Sequence, residues 1–203
     1  MSSSQGTYLF WLAGRSAGIV AMVMVTASVI LGLAMAARVI APKRRRGAAA
    51  SHEHIALVAL GAVAAHGAFL AFDPWLKAGV SGILIPGSIA YRPLWTSMGI
   101  VAGYLMLLLG LSFYVRRRIG PPLWRKLHRL MIVVYAMALG HSLGSGTDAA
   151  LPAFRYAMLA SALPVVVLFA LRFTRPRRAV KSELPSNVTQ LPTKAAVEAT
   201  EAA

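Results

Sequence analysis

Five apolar runs, most of them close to or above the length that spans a bilayer, leave this chain little choice of architecture. They lie at about Tyr8 to Arg38, His52 to Phe72, Leu94 to Val115, Leu127 to Leu143 and Leu151 to Phe173. A hydrocarbon core offers backbone groups no water, so each run must satisfy its own hydrogen bonds as a helix. The 203 residues are 58% hydrophobic and 13% charged, against roughly a quarter charged in a soluble domain. The expectation is an all-α integral membrane protein, a bundle of about five transmembrane helices. The fourth run is short and the least secure on hydropathy alone. The first is too long for the apolar region of a removable signal and has no basic segment before it.

The net charge of +15 invites a nucleic-acid reading, but the placement of the charges argues for no nucleic acid. Arg38, Lys43, Arg44, Arg45 and Arg46 follow the first run. Arg116, Arg117, Arg118, Arg125 and Lys126 link the third and fourth, and Arg172, Arg175, Arg177, Arg178 and Lys181 close the fifth. The alternate loops hold only Lys77, Arg92 and Arg155, with Asp73 and Asp148. By the positive-inside rule the N-terminus lies outside and the C-terminus in the cytoplasm, as expected for a multi-pass protein of the cell (plasma) membrane.

Three regions follow: residues 1–7 as a short exported N-terminus, 8–173 as the transmembrane domain, and 174–203 as a disordered cytoplasmic tail. In that topology the NVT sequon at Asn187 is cytoplasmic and is discounted. Trp11, Trp75, Trp95 and Trp124 fall near run ends, as belt anchors do. The stretch GVSGILIPGSIAYRP, within residues 79–94, is too short and too broken by Gly and Pro to span. It is expected to lie at the outer interface or dip in as a lid.

There is no cysteine, which excludes disulfides, Cys-ligated zinc, iron–sulfur clusters, thiol catalysis and CxxCH haem attachment. Chemistry falls to histidine. His52 and His66 stand 14 apart on the second run, His128 and His141 13 apart on the fourth. Ionisable residues within a bilayer usually face a bundle interior and mark a function, and imidazole is a common axial ligand of haem iron. Fourteen residues rise about 21 Å and return to within about 40° of the starting face. His52 and His66 therefore share a face at two depths.

The fourth run fits less well. Thirteen steps leave His141 about 140° from His128 on an ideal helix, so a local distortion is required; Gly140 and the GSG at 144–146 suggest a loosened end. Both runs point the same way, which puts His52 level with His128 and His66 level with His141. Each level offers two imidazoles to one iron: two haem b groups stacked across the membrane. A single membrane histidine is as well explained by an interhelical hydrogen bond, but four at two matched depths are less easily so. His54, about 120° from the shared face, reads as an interfacial residue at a helix start.

The stretch WRKLHRLMIVVYAMALGHSLGSGTD, Trp124 to Asp148, resembles the haem helix of the ferric reductase-like transmembrane superfamily, which includes NADPH oxidases, ferric reductases and the haem subunit of a periplasmic methionine sulfoxide reductase system. The His52–His66 spacing is similar to that family's other haem helix. The resemblance covers roughly Leu9 to Phe173. It implies that His52 and His128 hold a cytoplasmic-side haem and His66 and His141 an outer one. It also implies that Arg15, in LAGRSAG, sits beside the outer haem and its acceptor, where a guanidinium pairs with a propionate or attracts an anion. Its bland alternative is an arginine snorkelling to the interface.

The sequence departs from the pattern in two places. Where oxidases carry a further histidine one turn after the outer ligand, this chain has Leu70. No GxGxxG follows the last run, and no flavin or NAD(P) site is expected within the chain. The resemblance therefore implies an electron-transfer subunit, an oxidoreductase component rather than a complete enzyme. Its donor would be a cytoplasmic flavoprotein or membrane quinol, and its acceptor would lie at the outer face. A quinol-oxidising cytochrome b anchoring another enzyme, and a non-haem small transporter or assembly protein, remain as alternatives.

Overall fold

The computed structural model describes residues 3–174 (side chains from Tyr8 onward); the expected tail lies outside the described residues. These contain helix and no strand. The helices are α1 (Ser3–Ala36), α2 (Arg45–Ala71), α3 (Gly79–Leu84), α4 (Pro93–Leu111), α5 (Arg116–Ile119), α6 (Pro121–His128), α7 (Met131–Ser145) and α8 (Pro152–Thr174). Five segments are long and apolar enough to cross a membrane: Tyr8–Ala36, Pro42–Ala71, Pro93–Leu111, Pro121–Ser145 and Pro152–Thr174. They match the five expected runs. The protein is an all-helical, multi-pass membrane domain.

The segments alternate in direction, so the basic clusters gather at one end of the bundle, here the basic end; Asp73 and Asp148 lie at the other, the far end. Among the described residues Glu53 is the one carboxylate on the basic side of α2, where it accepts a hydrogen bond from the Tyr114 hydroxyl at 2.9 Å. Exposed apolar side chains such as Val58, Leu108, Leu163 and Val166 face where lipid would be, as expected when the solvent is hydrocarbon.

The packing is uneven. α1 runs along α2, α4 along α7, and α8 rests on α1, while α2 and α7 make little or no close backbone approach. The bundle is thus two tight pairs with a gap between α2 and α7. A core layer interrupts that gap half-way down. It contains Val25 of α1, Ala59 of α2, Met106 of α4, and Val134 and Tyr135 of α7. Ala59, with no exposed surface, is seven residues from His52 and seven from His66, on the same helix face. The histidines lie above and below this layer.

Two sequence expectations need correction. α2 begins at Arg45, so His54 is not at a helix start; it is exposed within the helix and its Nδ1 donates to the Ala50 carbonyl at 2.8 Å. The distortion in the fourth span is not at the GSG end, since α7 stays helical to Ser145. It falls at Arg129–Leu130, directly after His128. There the Leu130 amide bonds to Leu127 O at 2.9 Å and the Val133 amide to Leu130 O at 2.8 Å. Such three-residue turns advance about 120° per residue instead of 100°, which swings His141 back toward the face of His128. In the 79–94 segment, Gly79–Leu84 forms α3, which folds against α2. The Tyr104 hydroxyl of α4 ties it down by donating to Leu84 O at 2.6 Å.

Candidate functional site: two histidine pairs

The four histidines meet across the gap, in pairs. The His52 and His128 rings are 6.1 Å apart between centroids, at 88°. Those of His66 and His141 are 6.3 Å apart, at 77°. The first pair lies toward the basic end and the second toward the far end, with the core layer between them.

Three of the four rings are anchored from behind. His66 Nδ1 is 2.7 Å from the Gly14 carbonyl, and His141 Nδ1 is 2.9 Å from that of Trp95. His52 Nδ1 is 2.9 Å from the Ser28 carbonyl and 3.1 Å from the Ser28 hydroxyl. A carbonyl only accepts, so these Nδ1 atoms carry the proton and donate it, which leaves Nε2 with its lone pair. Metal-binding histidines are held in this way, the back nitrogen fixing both tautomer and ring orientation. His128 differs. Its Nδ1 is buried with no hydrogen-bond partner among the described residues, and its ring stacks on Trp124 one turn earlier, centroids 5.0 Å apart at 22°.

The donor set fits haem iron. No group of three or more His, Asp, Glu or Cys gathers among the described residues, as a bare metal ion would need. Two imidazoles suffice for an iron already held by a porphyrin. With a metal–nitrogen distance of about 2 Å on each side and the ring centres about 1 Å further out, centroids should stand roughly 6 Å apart, as they do.

Arg15, one residue beyond the Gly14 carbonyl, forms a two-pronged ion pair with Asp148. Its Nε donates to Oδ2 at 2.6 Å and its other arm to Oδ1. The guanidinium also lies over the Trp11 ring, 4.9 Å from the centroid. Asp148, in the short turn Thr147–Ala150 after α7, is buried. The pair fastens the start of α1 to the end of α7, beside the far histidines.

Comparison with known families bears on this arrangement. The model of the ferric reductase like transmembrane component matches residues 17–139, more than half of the chain. The chain belongs to this family. Ferric reductase-like transmembrane domains typically bind haem and transfer electrons within membranes, and this one is such a domain. The match includes His52, His66 and His128, ends two residues short of His141, and begins two after Arg15. No curated protein and no solved structure matches the chain.

Sequence reasoning missed several neighbours of the histidines. Asp148 entered only as a loop charge, and Trp95 and Trp124 as belt anchors. A helical wheel would have put Trp124 one turn before His128. The partnership of Arg15 with Asp148, 133 residues away, has no local signal.

Proposed function

We propose that this ferric reductase-like domain is a haem b electron-transfer protein carrying electrons across the plasma membrane through two bis-histidine sites. His52 and His128 would hold one haem and His66 and His141 the other. The observation that supports this reading most is the pairing of four membrane histidines at 6.1 and 6.3 Å, on two levels about 21 Å apart along α2.

Bound haem would supply a one-electron carrier at each level. The chain's own residues do the rest. Three helix carbonyls hold the Nδ1 protons and aim the Nε2 lone pairs into the gap. The core layer of Val25, Ala59, Met106, Val134 and Tyr135 keeps the two levels apart and dry. Arg15 and Asp148 close the far level. The excess of arginine and lysine at the basic end supports a cytoplasmic position for it, with the N-terminus and the acceptor outside. The basic rim around Arg125, Lys126 and Arg129 suits an acidic cytoplasmic flavoprotein as donor; membrane quinol is the other donor class.

The test is a reduced-minus-oxidised spectrum of the purified protein with a haem-to-protein ratio. A b-type Soret and α-band at about two haems per chain is expected. Absence of both bands overturns the reading, and a ratio of one that no histidine variant changes overturns the two-site assignment.

A further inference from the structure

The three anchored histidines share a feature that the hydrogen bonds alone do not explain. Each accepting carbonyl stands four residues before a glycine: Gly14 before Gly18, Ser28 before Gly32, Trp95 before Gly99. Each glycine faces the imidazole that its carbonyl binds. A Cβ at Gly18 would lie 2.9 Å from His66 Nδ1, and one at Gly32 would lie 3.2 Å from His52 Cε1. A Cβ at Gly99 would press hardest, reaching 2.6 Å from His141 Cε1 with Nδ1 closer still.

The physical reason lies in helix geometry. A helical carbonyl gives one lone pair to the amide four residues on and keeps a second. Side chains lean toward the helix N-terminus, so the side chain at that fourth residue leans back beside the same carbonyl, which is why a helical Ser or Thr can bond it. An imidazole from a neighbouring helix must enter through that space to reach the second lone pair. Glycine leaves it open.

The fourth histidine supports the argument by contrast. No glycine among the described residues has the His128 ring among the nearest atoms that an added Cβ would meet. Among the described residues His128 Nδ1 has no hydrogen-bond partner.

We propose that Gly18, Gly32 and Gly99 are positioning residues: each opens one helix carbonyl so that it can fix the tautomer and angle of a haem-ligand histidine. This rests on the haem reading above. Gly18 and Gly99 serve the far pair, Gly32 the basic-end pair. The glycines act through the imidazoles and touch no reacting atom.

The experiment uses the full-length, haem-loaded protein with alanine at each glycine, read by haem-to-protein ratio and low-temperature electron paramagnetic resonance. His141→Ala and His128→Ala provide the reference spectra of the two single-site forms. Gly99→Ala should fall from two haems per chain to about one, with a residual spectrum matching that of His141→Ala. Gly18→Ala should affect the same site. Gly32→Ala, with the least overlap, should keep both haems and shift only the basic-end signal. Gly61→Ala, where an added Cβ meets nothing within 4 Å, should match the unsubstituted protein.

Gly99→Ala and Gly18→Ala with unchanged spectra would overturn the proposal. So would loss of both haems from a folded Gly99→Ala or Gly18→Ala protein, which would mean that the glycine does not act on one ligand alone. If Gly99→Ala yields no folded protein, Gly18→Ala and Gly32→Ala decide by the same readouts. A haem-free unsubstituted protein would instead defeat the underlying haem reading.

Discussion

At the far level both imidazoles donate Nδ1–H to a helix carbonyl, those of Gly14 and Trp95; at the basic-end level only His52 does, and His128 lies against Trp124 instead. The two pairs have nearly the same ring separation, 6.3 and 6.1 Å, so ligand spacing does not depend on how the ligands are backed. What differs is the kind of support. The far pair is held by backbone, and its level is closed by the Arg15–Asp148 ion pair. Half of the basic-end pair is held by a side-chain stack, at the point where the helix tightens between α6 and α7. Backbone anchors are insensitive to most side-chain changes, whereas a stack can be tuned or lost by one substitution.

The largest effect that can break this comparison is removal of a ligand. His66→Ala or His141→Ala should abolish the far haem and leave the basic-end haem in place, and His52→Ala or His128→Ala should do the reverse, read as haem-to-protein ratio and visible spectrum. If all four variants lose both haems, the levels are not independent and the core layer around Ala59 does not separate them.

Next in size is the ion pair. Asp148→Asn leaves Arg15 without its counter-charge at a site where the carboxylate side chain is only 10% exposed. A buried group stripped of its partner typically costs about 1–3 kcal/mol. The guanidinium is 34% exposed, and water reaching it moderates the loss. A lower thermal midpoint and a shifted far-level spectrum are expected, with the basic-end spectrum unmoved. An equal shift at both levels would break the assignment of this pair to the far level.

Much of this organisation is legible in the sequence, because hydropathy and a fixed helical period act locally. The five spans follow from apolar length, and the sharing of one α2 face by His52 and His66 follows from 14 steps of a regular helix. Gly18 and Gly32 repeat the same interval of 14, so part of the glycine pattern was present in the text of α1. The place of the distortion in the fourth span was not. Whether a turn tightens at Arg129 or loosens at Gly144 is decided by where His141 and His128 must reach across to α2, a tertiary demand with no local code. The mate of Arg15 is hidden for the same reason, as is the carbonyl of Trp95, since a backbone acceptor leaves no mark on residue identity.

Trp124→Leu probes the stack. An aromatic pair contributes about 0.5–1.5 kcal/mol beyond the area it buries. Losing it should shift the basic-end spectrum and loosen that haem, with the far level unchanged. If the spectrum does not move, the support of His128 comes from the tight turn at Arg129–Leu130 and not from the indole.

The smallest effect should come from Ser28→Ala, and it is the sharpest check on backbone support. His52 Nδ1 has two neighbours on that residue, the carbonyl at 2.9 Å and the hydroxyl at 3.1 Å. Alanine removes only the second. The carbonyl belongs to the backbone of α1 and survives, and Gly32 still leaves it open. A single exchangeable hydrogen bond contributes about 1 kcal/mol at most here, so both haems should remain and the basic-end signal should move less than in Trp124→Leu. A shift as large as that of Trp124→Leu would mean that the hydroxyl, not the carbonyl, orients His52. His52 would then join His128 as a ligand held by side chains, and the contrast between the two levels would become complete.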